Sequence, residues 1–219
     1  MRIRLRWWRE LFFLGALLFS LAALLPLRIA LDWLGFADKG LSARDATGSV
    51  WAGALSEARF GTAPIGDVGT RLRGLPLLIG RARLDVEQED EGFRGGLTMS
   101  RHGFGIDDAS GSIEAPALPE LPAPMLDLSD LSFRFGDGLC AHAEGLVKAR
   151  FAGDFGSVPL NAAMSGQARC DGPALLLPLV SQSGSDRLDV RIFADGRYRI
   201  DAALRPGGSL YSPRFEGRF

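Results

Sequence analysis

Apolar positions along this chain follow two different patterns. From Leu11 to Leu27 they form an apolar run of 17 residues without a charge. At a rise of ~1.5 Å per residue that run spans roughly 25 Å, enough for a thin bilayer. Beyond it the pattern changes to alternation with a period of two. Ala82, Leu84 and Val86 face one way while Arg81, Arg83, Asp85 and Glu87 face the other. Leu188, Val190, Ile192 and Ala194 alternate with Asp189, Arg191 and Phe193. Asp195-Gly196 then reads as a two-residue hairpin turn, and Tyr198, Ile200, Ala202 and Leu204 resume the alternation. After the first run no window of a dozen residues has clean helical spacing. These patterns predict a mainly β chain: a single N-terminal transmembrane helix followed by an antiparallel β-sheet domain. One dry and one wet face per strand implies a curved or folded-over sheet that covers its own dry side.

The flanks of the apolar run give it a direction. Arg2, Arg4, Arg6 and Arg9 precede it, and basic residues next to a span are held on the cytoplasmic side. Trp7 and Trp8 suit the headgroup layer, where an amphipathic ring sits half wet. The expected division is a cytoplasmic basic tail at 1–10, a membrane anchor at 11–31, and a periplasmic β-rich domain at 41–219. A cleaved signal peptide is the alternative. It would need small residues before a cleavage point, and only Ala22-Ala23 offers them. The predicted location is the cell inner membrane, single-pass, with the C-terminal domain in the periplasm. The 28 glycines and 12 prolines suit many short strands and tight turns. Four of those prolines fall between Glu114 and Pro124, where they prevent strand ladders. This seam at 114–124 separates a strand group at about 41–113 from another at about 126–219, as two domains or as a loop across one sheet.

Charge excludes some partners. Residues 1–28 carry five arginines against Glu10, and the other 20 basic and 25 acidic side chains leave the remainder at −5. A mildly acidic domain has no footprint for nucleic acid. Cys140 and Cys170 are the only cysteines. In an oxidising compartment they are expected to pair, with a metal site built on Cys140, His142, Cys170 and Asp171 or free thiols as alternatives. His102 and His142 have no identifiable base or nucleophile partner, and there is no nucleophile elbow, zinc-protease helix or phosphate loop. The acidic cluster Asp85, Glu87, Glu89, Asp90 and Glu91 lacks a calcium-loop frame and reads as a solvated strand end. Asp107 and Asp108, as adjacent strand residues, are expected to point to opposite faces. No catalytic, metal or cofactor residue is expected, and the chain reads as a non-enzyme.

One set of segments carries a resemblance. Gly48-Ser49-Val50-Trp51-Ala52-Gly53 is followed by Leu75-Pro76-Leu77-Leu78-Ile79-Gly80-Arg81, then by Cys140-Ala141-His142-Ala143-Glu144-Gly145 and by Asp195-Gly196-Arg197-Tyr198. Behind a short N-terminal span, this order resembles protein N of the bacterial type II secretion system. The family's V-x-W stretch ahead of the leucines is replaced here by Val68-Gly69-Thr70-Arg71. The family-motif positions are Gly48, Val50, Trp51, Gly53, Leu77, Leu78, Gly80 and Arg81. The resemblance implies a non-catalytic inner-membrane subunit that supports export of folded proteins across the outer membrane. Its partners would be other inner-membrane or secretin components. Trp51 is either core packing or a partner contact. The alternative reading is an anchored lipid-handling or lipid-bridging β-sheet protein, which would show apolar strand faces uncovered by a second layer.

Overall fold

The computed structural model describes residues 4–33, 41–60, 63–77, 80–88, 92–115, 123–155, 158–159, 162–205 and 211–218. Two helices come first, α1 (Arg4–Ala23) and α2 (Leu27–Trp33). The strands of the first group are β1 (Leu41–Ser42), β2 (Asp45–Ser49), β3 (Ala52–Phe60), β4 (Ala63–Arg73), β5 (Arg81–Glu87), β6 (Arg94–Ser100) and β7 (Gly103–Glu114). A single helical turn, α3 (Gly74–Leu77), links β4 to β5. Then follow β8 (Met125–Gly136), β9 (Leu139–Phe151), the small pair β10 (Asp154–Phe155) and β11 (Val158–Pro159), β12 (Ala162–Gln167) and β13 (Arg169–Asp171). The last four are β14 (Ala174–Ser181), β15 (Arg187–Ile192), β16 (Arg197–Ala203) and β17 (Arg214–Arg218).

Fifteen of these strands form one antiparallel sheet in the order β1-β3-β4-β5-β6-β7-β8-β9-β12-β14-β15-β16-β17, with β2 also on β3 and β13 also on β14, while β10 and β11 pair separately. β2 continues β1 along the outer side of β3, and β13 continues β12 beside β14. β7 and β8 pair on either side of the proline-rich seam as far as Glu114↔Met125, and the Ala115 amide donates to Pro124 O. Residues 116–122 of the seam lie outside the described residues.

The long strands β7, β8 and β9 are interrupted near their middles, with register shifts between Ile106 and Ala109 and between Ser129 and Ser132. Asp108 and Asp130 sit there at positive φ (55° and 50°), and side-chain hydroxyls of Ser132 and Ser110 take up their amides. Bulges of this kind bend a strand and sharpen its twist. β7, β8 and β9 therefore bend locally at these positions. The sheet's dry face holds two packed clusters. Leu55, Val68, Leu72, Leu84 and Val86 belong to the first; Val147, Met164, Leu175, Leu188 and Ile200 belong to the second. Phe93 packs against both. The exposed large hydrophobics of the described residues lie on the N-terminal helices and at Leu77, Met125, Leu139 and Tyr211, not along the dry face. That distribution disfavours an open apolar groove and with it the lipid-bridging alternative.

Two expectations need correcting. The run from Leu11 to Leu27 is not one spanning helix, because α1 ends at Ala23 and Pro26 separates it from α2. Pro26 cannot donate the backbone bond a continuous helix needs. The charge-free part of α1, Leu11–Ala23, covers about 20 Å at 1.5 Å per residue, short of a ~30 Å hydrocarbon core. Among the described residues no helix is long and apolar enough to cross a membrane. The second correction concerns the β15–β16 hairpin. It closes between Phe193 and Arg197, whose amide-to-carbonyl bond is 2.9 Å, leaving Ala194, Asp195 and Gly196 in a three-residue loop. Gly196 takes the left-handed φ of 81° that such a loop demands. Ala194 and Leu204 thus fall outside the strands.

Candidate functional site

The first family-motif segment, Gly48 to Gly53, lies where the chain leaving the N-terminal helices joins the sheet. Gly48 pairs with Gly53 and Ser49 with Ala52, so Val50 and Trp51 form the tight turn between β2 and β3. Gly48 has φ 81°, and a Cβ there would lie 2.7 Å from Ala52 O. Only glycine makes that turn without strain.

The turn grips the chain leading out of α1. Pro26 bridges to Ser49, and the Val50 amide donates to Leu25 O at 3.0 Å. On its other side Val50 O accepts the Leu72 amide at 3.0 Å. Leu27, the first residue of α2, is 1% exposed and packs with Val50 and Leu55. Its Cδ2 occupies the space of the missing Gly53 side chain, since a Cβ on Gly53 would come within 2.7 Å of it. Gly53 is therefore a socket and Leu27 its plug. Trp51 is half-buried against the same cluster, its ring lying over Gly74, where a Cβ would meet it at 3.3 Å. The Trp51 ring thus joins the first motif segment to the β4–β5 connection.

That connection carries the other family positions. Leu77 ends α3 and is 38% exposed; Gly80 has φ 73° with open space around it; Arg81 begins β5 and is exposed. Leu78 lies outside the described residues. Of the anchor flanks, Arg4, Arg6, Trp7, Trp8 and Arg9 fall in α1, and Arg2 lies outside the described residues. Sequence reasoning missed Leu27, which it placed within the anchor, and Gly74. Only contact between residues far apart in sequence assigns them.

The wet face carries a lattice of ion pairs. Arg83 contacts Asp85 at 3.0 Å, Asp107 at 3.6 Å and Asp108 at 3.1 Å, while Asp85 also reaches Arg73 and Asp107 reaches Arg134. Asp107 and Asp108 thus converge on one guanidinium instead of diverging. The bulge at Asp108 breaks the alternation that would have separated them. Partial burial pushes the Asp85 carboxyl up, but hydrogen bonds and charge from Arg73 and Arg83 outweigh it and hold the carboxyl below its ordinary value. Further on, Arg191 joins Asp171 to Asp201, and Arg214 also pairs with Asp201. Asp85, Asp107, Asp108, Asp171 and Asp201 each lie beside an arginine. A shallow depression of about 440 Å³ lies within this lattice, lined by Asp189, Arg191, Asp201 and Arg214. Of the acidic cluster, residues 89–91 lie outside the described residues.

Cys140 and Cys170 form a disulfide across β9 and β13, with their Cα atoms 5.5 Å apart. Both sulfurs are thereby removed from metal ligation, and among the described residues no group of three potential ligands comes together. His142 pairs with Glu144 at 3.3 Å and His102 with Asp137 at 3.5 Å, all four strongly exposed. Each is a solvated surface pair. In the last motif segment the Arg197 amide and guanidinium both bind the Asp195 carboxylate, which lowers its pKa and fixes the hairpin loop.

At this end of the sheet two backbone contacts and one buried leucine lock the start of α2 to the strands. No curated protein and no solved structure matches the chain. A family model described as type II secretion system (T2SS), protein N matches residues 39–212, which contain every motif segment from Gly48 to Tyr198. The chain belongs to the type II secretion system protein N family.

Proposed function

We propose that this protein is a non-catalytic inner-membrane subunit of the type II secretion system, with its sheet on the periplasmic side. The family match over residues 39–212 carries the reading. Two features of the chain support its finer parts. α1 leaves Leu11, Phe12, Phe13, Leu14, Leu17 and Leu21 more than half exposed, a surface that water disfavours and an apolar layer accepts. The disulfide suits an oxidising compartment. In this reading the exposed apolar side chains of α1 are seated in the surface layer of the membrane. The Leu27 plug then fixes the sheet to that seat instead of leaving it on a free tether. The sheet works by binding other secretion-system subunits, inner-membrane or secretin components among them, and not by turning over a substrate.

Export decides the matter. The gene is deleted in its host, and a secreted hydrolase is assayed in periplasm and medium separately. Hydrolase retained in the periplasm, and released again when the intact gene is restored, is the expected result. Undiminished export in the deletion strain overturns the proposal.

A further inference from the structure

We propose that the outer edge of β17 is a self-association surface, where two copies of this chain join by antiparallel pairing of Arg214–Arg218. This goes beyond the secretion reading and stands or falls separately from it.

Among the described residues no strand pairs with the outer side of β17. Its backbone directions follow from the β16 ladder. Leu204 and Tyr211 exchange both hydrogen bonds, Pro213 O accepts the Ala202 amide, and the register continues with Ile200↔Phe215 and Tyr198↔Gly217. Alternation then turns the amides and carbonyls of Ser212, Arg214, Glu216 and Arg218 outward. Such a row is a template for another strand. The opposite edge of the sheet is blunted. β1 and β2 are broken at Ala43-Arg44, Gly48 takes a left-handed φ, and Pro26 already bridges to Ser49. β17 has no proline, bulge or break within it.

The occupant follows from the sequence of the strand. Laid antiparallel on a second copy and centred on Phe215, Arg214 faces Glu216 of the second copy and Glu216 faces its Arg214. Both are outward-directed positions, so this register forms a hydrogen-bonded ladder with two opposite-charge pairs on the wet face. Phe215 then faces Phe215 of the second copy at the position where opposed side chains lie closest. Phe215 is half-buried at the margin of the second core cluster, which the new strand would extend. Centring on Glu216 instead sets glutamate against glutamate and arginine against arginine. Centring on Gly217 keeps the charge match but leaves two glycines at the middle. The isologous contact about Phe215 is the one that is complementary in charge, packing and backbone direction together.

The test is sedimentation velocity on the full chain in detergent micelles, from low micromolar concentration upward. Wild-type protein is expected to show a monomer–dimer equilibrium. Arg214→Glu and Glu216→Arg each place like charges across the joint and should each weaken the dimer at least tenfold. Mixed together the two variants regain opposite pairs, and a heterodimer near wild-type affinity should form. Glu216→Pro removes an outward amide while sparing every backbone bond to β16; it also deletes the exposed Glu216–Arg199 ion pair, so its circular dichroism should be unchanged, its melting lowered only slightly and its dimer lost. Wild-type protein that stays monomeric, a Glu216→Pro variant that still dimerises, or folded charge variants that fail to rescue each other would overturn the proposal. A charge variant that does not fold leaves the decision with wild type and Glu216→Pro. The outcome is read without any export assay, so failure here leaves the secretion reading intact.

Discussion

Leu27 and Gly53 show how much one contact can carry. Truncating a leucine that is 1% exposed removes its transfer energy and leaves a cavity in the first cluster. Leu27→Ala should cost about 2–4 kcal/mol in a denaturant titration. Gly53→Ala should cost about 1–3 kcal/mol, because the new methyl meets Leu27 Cδ2 and Thr47 O at 2.7 Å and two elements must move apart. Since the two changes act on one contact, the double variant should cost less than the two single costs combined. Asp85 makes a prediction of opposite character. Its folded-state pKa lies below the unfolded value, so its contribution is complete above about pH 4 and is lost as pH falls through the lowered folded value. Melting curves of Asp85→Asn and wild type should differ at pH 7, by no more than about 1 kcal/mol because the pair is partly solvated, and converge as acid protonates the carboxylate. A gap that widens in acid would contradict this.

Among the elements, the strands with unbroken alternation were legible and the bent ones were not. Ala82, Leu84 and Val86 in β5, and Tyr198, Ile200 and Ala202 in β16, face the core as their spacing says. Period-two alternation is a local property, fixed by the pleat. In β7 and β8 a bulge shifts that phase, and Asp107 and Asp108 meet at Arg83 against the simple rule. Nothing in the local sequence announces the bulge, since its support comes from Ser132 on the next strand. The disulfide was legible from compartment logic, but the strands it ties were not. It closes a separation of 30 residues from β9 across β12 to β13. Reduction, or Cys140→Ala with Cys170→Ala, should lower unfolding free energy by about 3.5 kcal/mol in the chain-entropy account. A chemical melt with and without reductant measures it; an unchanged midpoint would show that the sheet alone holds this end.

For the protein as a unit, the joint at Val50 makes the helices part of the folded body. A domain expressed from residue 39 onward, where the family match begins, would lack Leu27 and leave its socket open. Among the described residues α1 leaves Leu11, Phe12, Phe13, Leu14, Leu17 and Leu21 more than half exposed. Leu14→Lys with Leu17→Lys, both more than half exposed and outside the core, should leave the sheet's melting unchanged. The same pair should shift the protein from the membrane fraction to the soluble one, because it removes apolar area by which a helix lying in the headgroup–acyl boundary is held. Retention in the membrane fraction would mean that the sheet has its own attachment.

Local pattern was enough for the strand-rich class, for the faces of the regular strands, for the cysteine pair and, through the ordered motif segments, for the family. Each of these depends on neighbours in sequence, on compartment or on the order of short segments. Where the chain bends, where Leu11–Leu27 breaks and what Gly53 is for depend on contacts between residues far apart. Pro26 could have ended a span or begun a second helix. It does the latter because Ser49 and Val50 are there to hold the chain beside it. Gly53 carries no local sign of its role, because the leucine that fills its place comes 26 positions earlier.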